Sequence, residues 1–209
     1  MKFCWKWGIK LFVYASSSSV YGDHPNLQKI EGIEGNILSP YALTKRVDEE
    51  YAKLYKKLYG LDTYGLRYFN FFGKRQNPLG AYAVVITNFL NSLLKDCTVT
   101  INGDPTKSRD FTHINNVVYA NLLACAAPSS SAGTVMNIGT NGRVTLTELY
   151  TELGKLMKIT PKVTYLNERP GDIAHIFASI EAANELINYK PIISFAEGLQ
   201  LTIDSFNNK

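Results

Sequence analysis

Tyr41 and Lys45 stand four residues apart in the stretch SPYALTKRVDEEY, residues 39–51. Ser39 is a natural helix N-cap and Pro40 a natural first helical residue. A helix that starts there puts Tyr41 and Lys45 on one face. A tyrosine ionises near pH ~10 and is a weak base at neutral pH. A lysine ammonium beside it favours the phenolate. Such a pair can take a proton from a secondary alcohol. A serine hydroxyl can donate to the developing alkoxide, and Ser16 to Ser19 form a serine cluster. The carbon that loses its hydroxyl proton can then release a hydride. No side chain accepts a hydride, so this chemistry requires a nicotinamide. Taken alone the pair is weak: a chain with 13 tyrosines and many lysines produces the spacing by chance. A single serine is more often a small turn residue.

The surrounding elements must bring these groups together. LFVYAS (residues 11–16) is a short apolar run entering the serine cluster, which suits a buried parallel strand with function at its carboxyl end. A Gly-, Pro- and Asn-containing loop leads to the helix from Pro40 to Tyr59, with Gly60 as its stop. Val47, Tyr51, Leu54, Tyr55 and Leu58 form its apolar stripe. TYGLRYFNFFG (63–73) reads as the next strand and its exit loop. Strand, helix, strand at this spacing is a βαβ unit and implies a parallel sheet. Beyond it, the pattern predicts a helix over 81–95, a strand over 99–103, a polar loop and return strand over 104–114, and a helix ending at Pro128. A strand follows over 134–139. A helix starts with a capping box from Thr145 to Glu148, then a strand covers 162–166. A second capping box, Ser194 with Glu197, opens the last helix. The expected architecture is an α/β half over residues 1–76 and a smaller α+β region over 77–209.

The composition is that of an ordinary globular chain: 209 residues, 45% hydrophobic, 19% charged and net charge +4. Lys and Arg are scattered, so no nucleic-acid patch is expected. Lys2, Lys6 and Lys10 break up the amino-terminal stretch, and no apolar run has transmembrane length. Cys4, Cys97 and Cys125 are far apart and form no C-x-x-C pair, against a disulfide framework or zinc site. Cys125, in NLLACAA, reads as a small core residue. His24, His113 and His175 have no metal-ligand spacing. A reduced, cytoplasmic protein is expected, with no membrane and no nucleic-acid partner.

FVYASSSSVYGDHP, SPYALTKRVDEEY, LRYFNFFGKRQNP, INGDPTKSRDFTHI, NIGT and RPGD follow one another in the order and spacing of the nucleotide-sugar epimerase/dehydratases, which belong to the extended short-chain dehydrogenase/reductases. The resemblance covers essentially the whole chain and is strongest towards UDP-sugar 4-epimerases of the UDP-N-acetylhexosamine group. It implies a Rossmann-type parallel sheet, NAD as cofactor and a UDP-sugar as substrate, and it allows a homodimer. Tyr41 resembles the catalytic base, Lys45 its ribose-binding partner and Ser17 the catalytic serine, with Ser18 beside it. Tyr68 and Phe69 resemble the pair near the nicotinamide, and Asn70 the residue holding the sugar diphosphate. Arg109 and Arg169 resemble the diphosphate arginines, a good use of the guanidinium fork, although an isolated arginine more often makes a surface ion pair. Asn102 and Asp172 match positions near the uridine. Ile176 matches a gate beside the sugar; a small residue there admits N-acetyl sugars and a tyrosine excludes them.

Dehydratases and UDP-glucuronate decarboxylases share the fold, which therefore does not decide the reaction. Lyase members carry carboxylates where this chain has Ser18 and Ser19, which favours epimerisation. The resemblance also has gaps. The strand and G-x-x-G-x-x-G turn that approach the NAD pyrophosphate are not among these 209 residues. The sequence thus reads as an N-terminally truncated family member, and these residues alone are expected not to grip NAD. A non-catalytic nucleotide-sugar-binding remnant is the alternative, and the genomic sequence upstream of Met1 would separate the two. Asn115, Asn116 and Ser179 replace aspartates of the pattern.

Overall fold

The computed structural model describes residues 1–77, 85–168 and 175–207. In chain order the elements are α1 (Lys2–Lys6), β1 (Leu11–Ser17), β2 (Gln28–Lys29), α2 (Pro40–Tyr59), β3 (Asp62–Tyr68) and β4 (Phe71–Phe72). Then come α3 (Val85–Leu94), β5 (Val99–Asn102), β6 (Ser108–Arg109), β7 (Thr112–His113), α4 (Ile114–Cys125) and β8 (Thr134–Ile138). The last are β9 (Val144–Thr145), α5 (Leu146–Met157), β10 (Val163–Leu166), β11 (His175–Ala178), α6 (Glu181–Ile187) and α7 (Phe195–Asn207).

A parallel sheet in the order β1-β3-β8 carries the first half. Successive β3 side chains leave opposite faces of the sheet. Tyr64 and Leu66 pack with Met136 and Ile138 against Val117, Ala120 and Ala124 of α4 and Ala183 and Ile187 of α6. Thr63 and Arg67 point the other way, to α2: Thr63 Oγ1 donates to Ala52 O at 3.1 Å and Arg67 pairs with Glu49. A second core joins β5 to α3, α5 and α7 through Ile86, Phe89, Leu90, Val99, Ile101, Leu149, Leu153 and Leu199. A mixed sheet, β2-β11-β6-β9, lies beside them.

Local chemistry explains the boundaries of α2. Ser39 Oγ accepts from Ala42 N at 3.1 Å, Pro40 occupies the first turn, and Gly60 ends the helix in the left-handed region. Its packing face differs from the expected one. Val47, Tyr51, Leu54 and Leu58 are exposed, and the helix buries Ala42, Glu49 and Ala52 instead. Small residues let α2 lie close to the sheet, and a buried ion pair takes the place of an apolar seam. Cys125 is likewise exposed rather than in the core: α4 turns Ala120 and Ala124 inward, and the next residue faces out.

Two of the residues that replace aspartates make defined contacts. Asn116 is fully buried; its Oδ1 accepts from Ile192 N and Ile193 N at 2.9 Å each, and its Nδ2 donates to Ile193 O at 2.8 Å. An ionised carboxylate could not make the last bond. Ser179 Oγ accepts from Glu181 N at the start of α6. Among the described residues, no helix is long and apolar enough to cross a membrane. No group of three His, Cys, Asp or Glu there could hold a metal.

Candidate functional site

The carboxyl ends of β1 and β3 meet in register, with Ser17 opposite Tyr68. The chain leaves β1 in a 3-10 turn, Ser18–Tyr21. Ser17 caps it, accepting from Ser19 N at 3.2 Å and lying 3.0 Å from Ser19 Oγ. Both contacts can use Ser17 Oγ as acceptor, which leaves its own O–H to donate. Gly22 follows with φ 55, and a Cβ there would sit 1.7 Å from Asn36 O. Only glycine lets the returning loop pass this close.

Tyr41, Lys45 and Glu49 fall four apart on the face of α2 turned towards this edge. Lys45 Nζ donates to Ala15 O at 3.0 Å, lies 3.6 Å from Asp48, and is 6.0 Å from the Tyr41 ring centroid. Tyr41 is 44% exposed. Below this pair the contacts are buried. Ser16 Oγ donates to Glu49 Oε1 at 2.6 Å. Arg67 Nε and Nη2 donate to the two oxygens of Glu49 at 2.8 and 2.7 Å, and Nη1 to Glu34 Oε1 at 2.7 Å. The guanidinium also lies 4.8 Å from the Tyr21 ring centroid. Burial opposes its charge, but the hydrogen bonds and charges of Glu49, Tyr21 and Glu34 outweigh that and hold Arg67 above its ordinary range.

Beyond β3, Tyr68 Oη is 2.9 Å from Asn121 Nδ2, and burial pushes its phenol up. Phe69 is fully buried with Val20, Tyr21, Ile176 and Ala178. Asn70 adopts φ 30, a left-handed conformation that asparagine tolerates. Its Nδ2 donates to Asp110 O at 3.4 Å, and its carbonyl accepts from Thr112 N. Asn70 thus meets the segment that carries Arg109. Arg109 is the register partner of Ile176, and its Nη1 donates to Ser108 O at 3.0 Å. Asp110 fixes this corner: its carboxylate accepts from Thr140 N at 2.8 Å, Thr140 Oγ1 at 2.6 Å, Asn141 N at 3.0 Å and Ala178 N at 3.2 Å.

The structure therefore brings Ser17, Ser18 and Tyr68 to the ends of β1 and β3, with Tyr41 and Lys45 on the adjoining helix α2; the Tyr68 side chain leaves the sheet on the opposite face, towards Asn121 of α4. Asn70, Arg109 and Ile176 follow through the Phe69 and Asp110 contacts. Asn102 ends β5 on the separate β5–β10 sheet. Arg169 and Asp172 lie outside the described residues. Glu34, Glu49, Arg67 and Asp110 were not singled out from the sequence, and Ser16 only as one of the four serines. A signal was available for two of them: Glu49 continues the Tyr41–Lys45 spacing, and Arg67 is a charge inside an otherwise uncharged strand centre.

Residues 1–139 match the model of the NAD dependent epimerase/dehydratase family. A protein described as a putative UDP-glucose 4-epimerase of Methanocaldococcus jannaschii is 36% identical over 97% of this chain and 65% of its own length. A solved UDP-N-acetylglucosamine 4-epimerase of Methanobrevibacter ruminantium, in complex with UDP-N-acetylmuramic acid, superposes with TM-score 0.92 at 35% identity, over 98% of this chain and 65% of that one. A UDP-glucuronic acid 4-epimerase of Bacillus cereus, in complex with UDP-glucuronic acid and NAD, gives 0.89 at 29% identity, over 99% and 64%. The chain spans less than two thirds of the length of each.

Proposed function

The chain belongs to the NAD dependent epimerase/dehydratase family, and from that premise we propose that its site serves 4-epimerisation of a UDP-sugar by transient oxidation at C4. Ser17 at the carboxyl end of β1, and Lys45 beside Tyr41 on the helix that reaches Ala15 of the same strand, support this reading. Tyr41, as its phenolate, takes the proton of the C4 hydroxyl. Lys45, held on Ala15 O, places a positive charge beside the phenolate as it forms. Ser17 donates to the developing C4 oxygen. Once the keto sugar has turned, hydride returned to the other face of C4 would invert that centre, and Tyr41 gives the proton back to the C4 oxygen.

NAD, when bound, would supply the hydride acceptor and later the donor at C4. The donor set fits its nicotinamide-ribose half: Lys45 has N–H groups to spare beyond Ala15 O, and the phenol of Tyr41 lies on the same open face. Residues 1–76 would supply this half of the site. Residues 77–209, with β8 returning to the first sheet, would supply most of the UDP-sugar half. Asn70, from the first region, and Arg109 hold the diphosphate, with Arg169 from outside the described residues. Ser18 and Ser19 in the turn after β1 offer no carboxylate for elimination, which favours epimerisation over dehydration.

The finer substrate reading rests on Ile176. It is 5% exposed, packs with Val20, Tyr21 and Phe69, and stands beside Arg109. An aliphatic side chain there leaves more room than a tyrosine would, so N-acetylated UDP-hexoses are accepted. Measuring kcat/KM for UDP-GlcNAc and UDP-Glc tests both levels. Ile176→Tyr is expected to shift the ratio towards UDP-Glc by about tenfold, as a shape change in one pocket does. An unchanged ratio removes Ile176 from substrate choice. Absence of 4-epimerisation of either sugar, with the NAD-pyrophosphate-binding residues supplied, overturns the reading itself.

A further inference from the structure

Glu49 is fully buried and Arg67 is 1% exposed, yet neither takes part in the proton or hydride steps described above. Stability is a poor explanation for such a pair. Removing two charges from water is costly, and well-packed apolar side chains of similar volume often serve as well or better. What an ion pair adds is direction. Arg67 meets Glu49 through two parallel N–H···O bonds, a fork that tolerates little sliding or rotation.

The pair sits one step behind every reactive group. Glu49 is one helical turn beyond Lys45, which is one turn beyond Tyr41. Ser16 precedes Ser17, Arg67 precedes Tyr68, and Ser16 and Arg67 are register partners. α2 therefore reaches β1 at two consecutive residues, Lys45 on Ala15 O and Glu49 on Ser16 Oγ. Arg67 also binds Glu34, in the loop that leads into α2. We propose that Glu49 and Arg67 are positioning residues that fix the Tyr41–Lys45 face of α2 against the ends of β1 and β3, at the distance the Ser17–Tyr41–Lys45 site requires. The inference rests on the proposed function for what is being positioned, while the contact it predicts belongs to the chain itself.

The test reads that contact without using activity. Lys45, with 23% of its side chain exposed, is labelled with acetic anhydride, and Lys155, at 69%, serves as internal reference. Both are quantified by mass spectrometry in the wild type, in Glu49→Gln and in the charge-free double variant Glu49→Leu/Arg67→Met. Cooperative thermal melts establish which variants fold. The Lys45 to Lys155 ratio is expected to rise roughly fivefold in the folded variants, the population change that one lost hydrogen bond corresponds to. An unchanged ratio in a folded variant overturns the proposal. So does failure of both variants to fold, since the pair would then be a folding requirement and not a positioning device.

Turnover gives the second readout. Arg67→Lys keeps the charge and loses the fork. It should lower kcat by about a hundredfold, as a small misplacement of reacting groups does, with KM for the UDP-sugar unchanged. A shift in Lys45 labelling in a protein that never epimerises, even with the NAD-pyrophosphate-binding residues supplied, would defeat the proposed function and leave the positioning intact. Epimerisation with unshifted labelling and full kcat in Arg67→Lys would do the reverse.

Discussion

Tyr41→Phe is expected to lower UDP-sugar 4-epimerisation by about 10²–10⁴-fold in a preparation that includes the residues gripping the NAD pyrophosphate. The substitution removes one oxygen and keeps the ring. Tyr41 is 44% exposed at the first turn of α2, so its loss leaves the core untouched. What disappears is the group that receives the C4 proton. Lys45 cannot replace it, because an ammonium has no acceptor. Ser17 is a donor to the substrate oxygen and a poor base. The loss should appear in kcat, with KM and the melting temperature near wild type. A variant that keeps its rate would remove Tyr41 from the reaction.

Arg67→Met is expected to destabilise the fold by about 3–5 kcal/mol, the cost of breaking a buried ion pair from one side. Methionine fills much of the space of the arginine stem but brings no donor. Glu49, fully buried, then keeps only the Ser16 hydroxyl. Glu34 retains Arg46 at 3.3 Å and suffers less. Urea unfolding followed by circular dichroism measures the change. The double variant Glu49→Leu/Arg67→Met should recover most of it, because no orphaned charge remains. A single-variant loss below about 1 kcal/mol would mean that water screens the pair as it does surface salt bridges.

The sequence carried the helix that bears the site with little ambiguity. Ser39, Pro40 and Gly60 are signals of local backbone chemistry, and local chemistry decides helix ends. LFVYAS announced a parallel strand through its continuous apolar run. The side of α2 that is buried was not legible. Its apolar stripe pointed to one face, and the structure buries the other through Ala42, Glu49 and Ala52. Hydrophobic periodicity assumes that burial follows side-chain polarity. Here a buried arginine on β3 supplies the partner for a carboxylate, and that pairing links residues far apart in sequence. The two-residue strands β2 and β9 and the short β11 also went unseen. They carry too few residues to show a period, and their pairing is fixed by side chains such as Asp110, which ties Thr140, Asn141 and Ala178 together. Asn70 and Arg109 were named from resemblance alone. Their meeting through the Asp110 carbonyl is a long-range contact that no local pattern encodes.

Calorimetric titration of these 209 residues with UDP-GlcNAc, alongside Arg109→Ala, tests the central claim most directly: that Asn70, Arg109 and the Ser17–Tyr41–Lys45 edge form the nucleotide-sugar side of an epimerase site. NAD⁺ is titrated in parallel. The account predicts a saturable UDP-GlcNAc isotherm in the wild type. Arg109→Ala should weaken it roughly 10–100-fold, the worth of one charge-assisted contact to a phosphate. NAD⁺ should bind far more weakly than the UDP-sugar, because the glycine-rich backbone that approaches its pyrophosphate is not among these residues. A folded wild type that gives no heat with UDP-GlcNAc, or an Arg109→Ala isotherm that overlays the wild type, would contradict it.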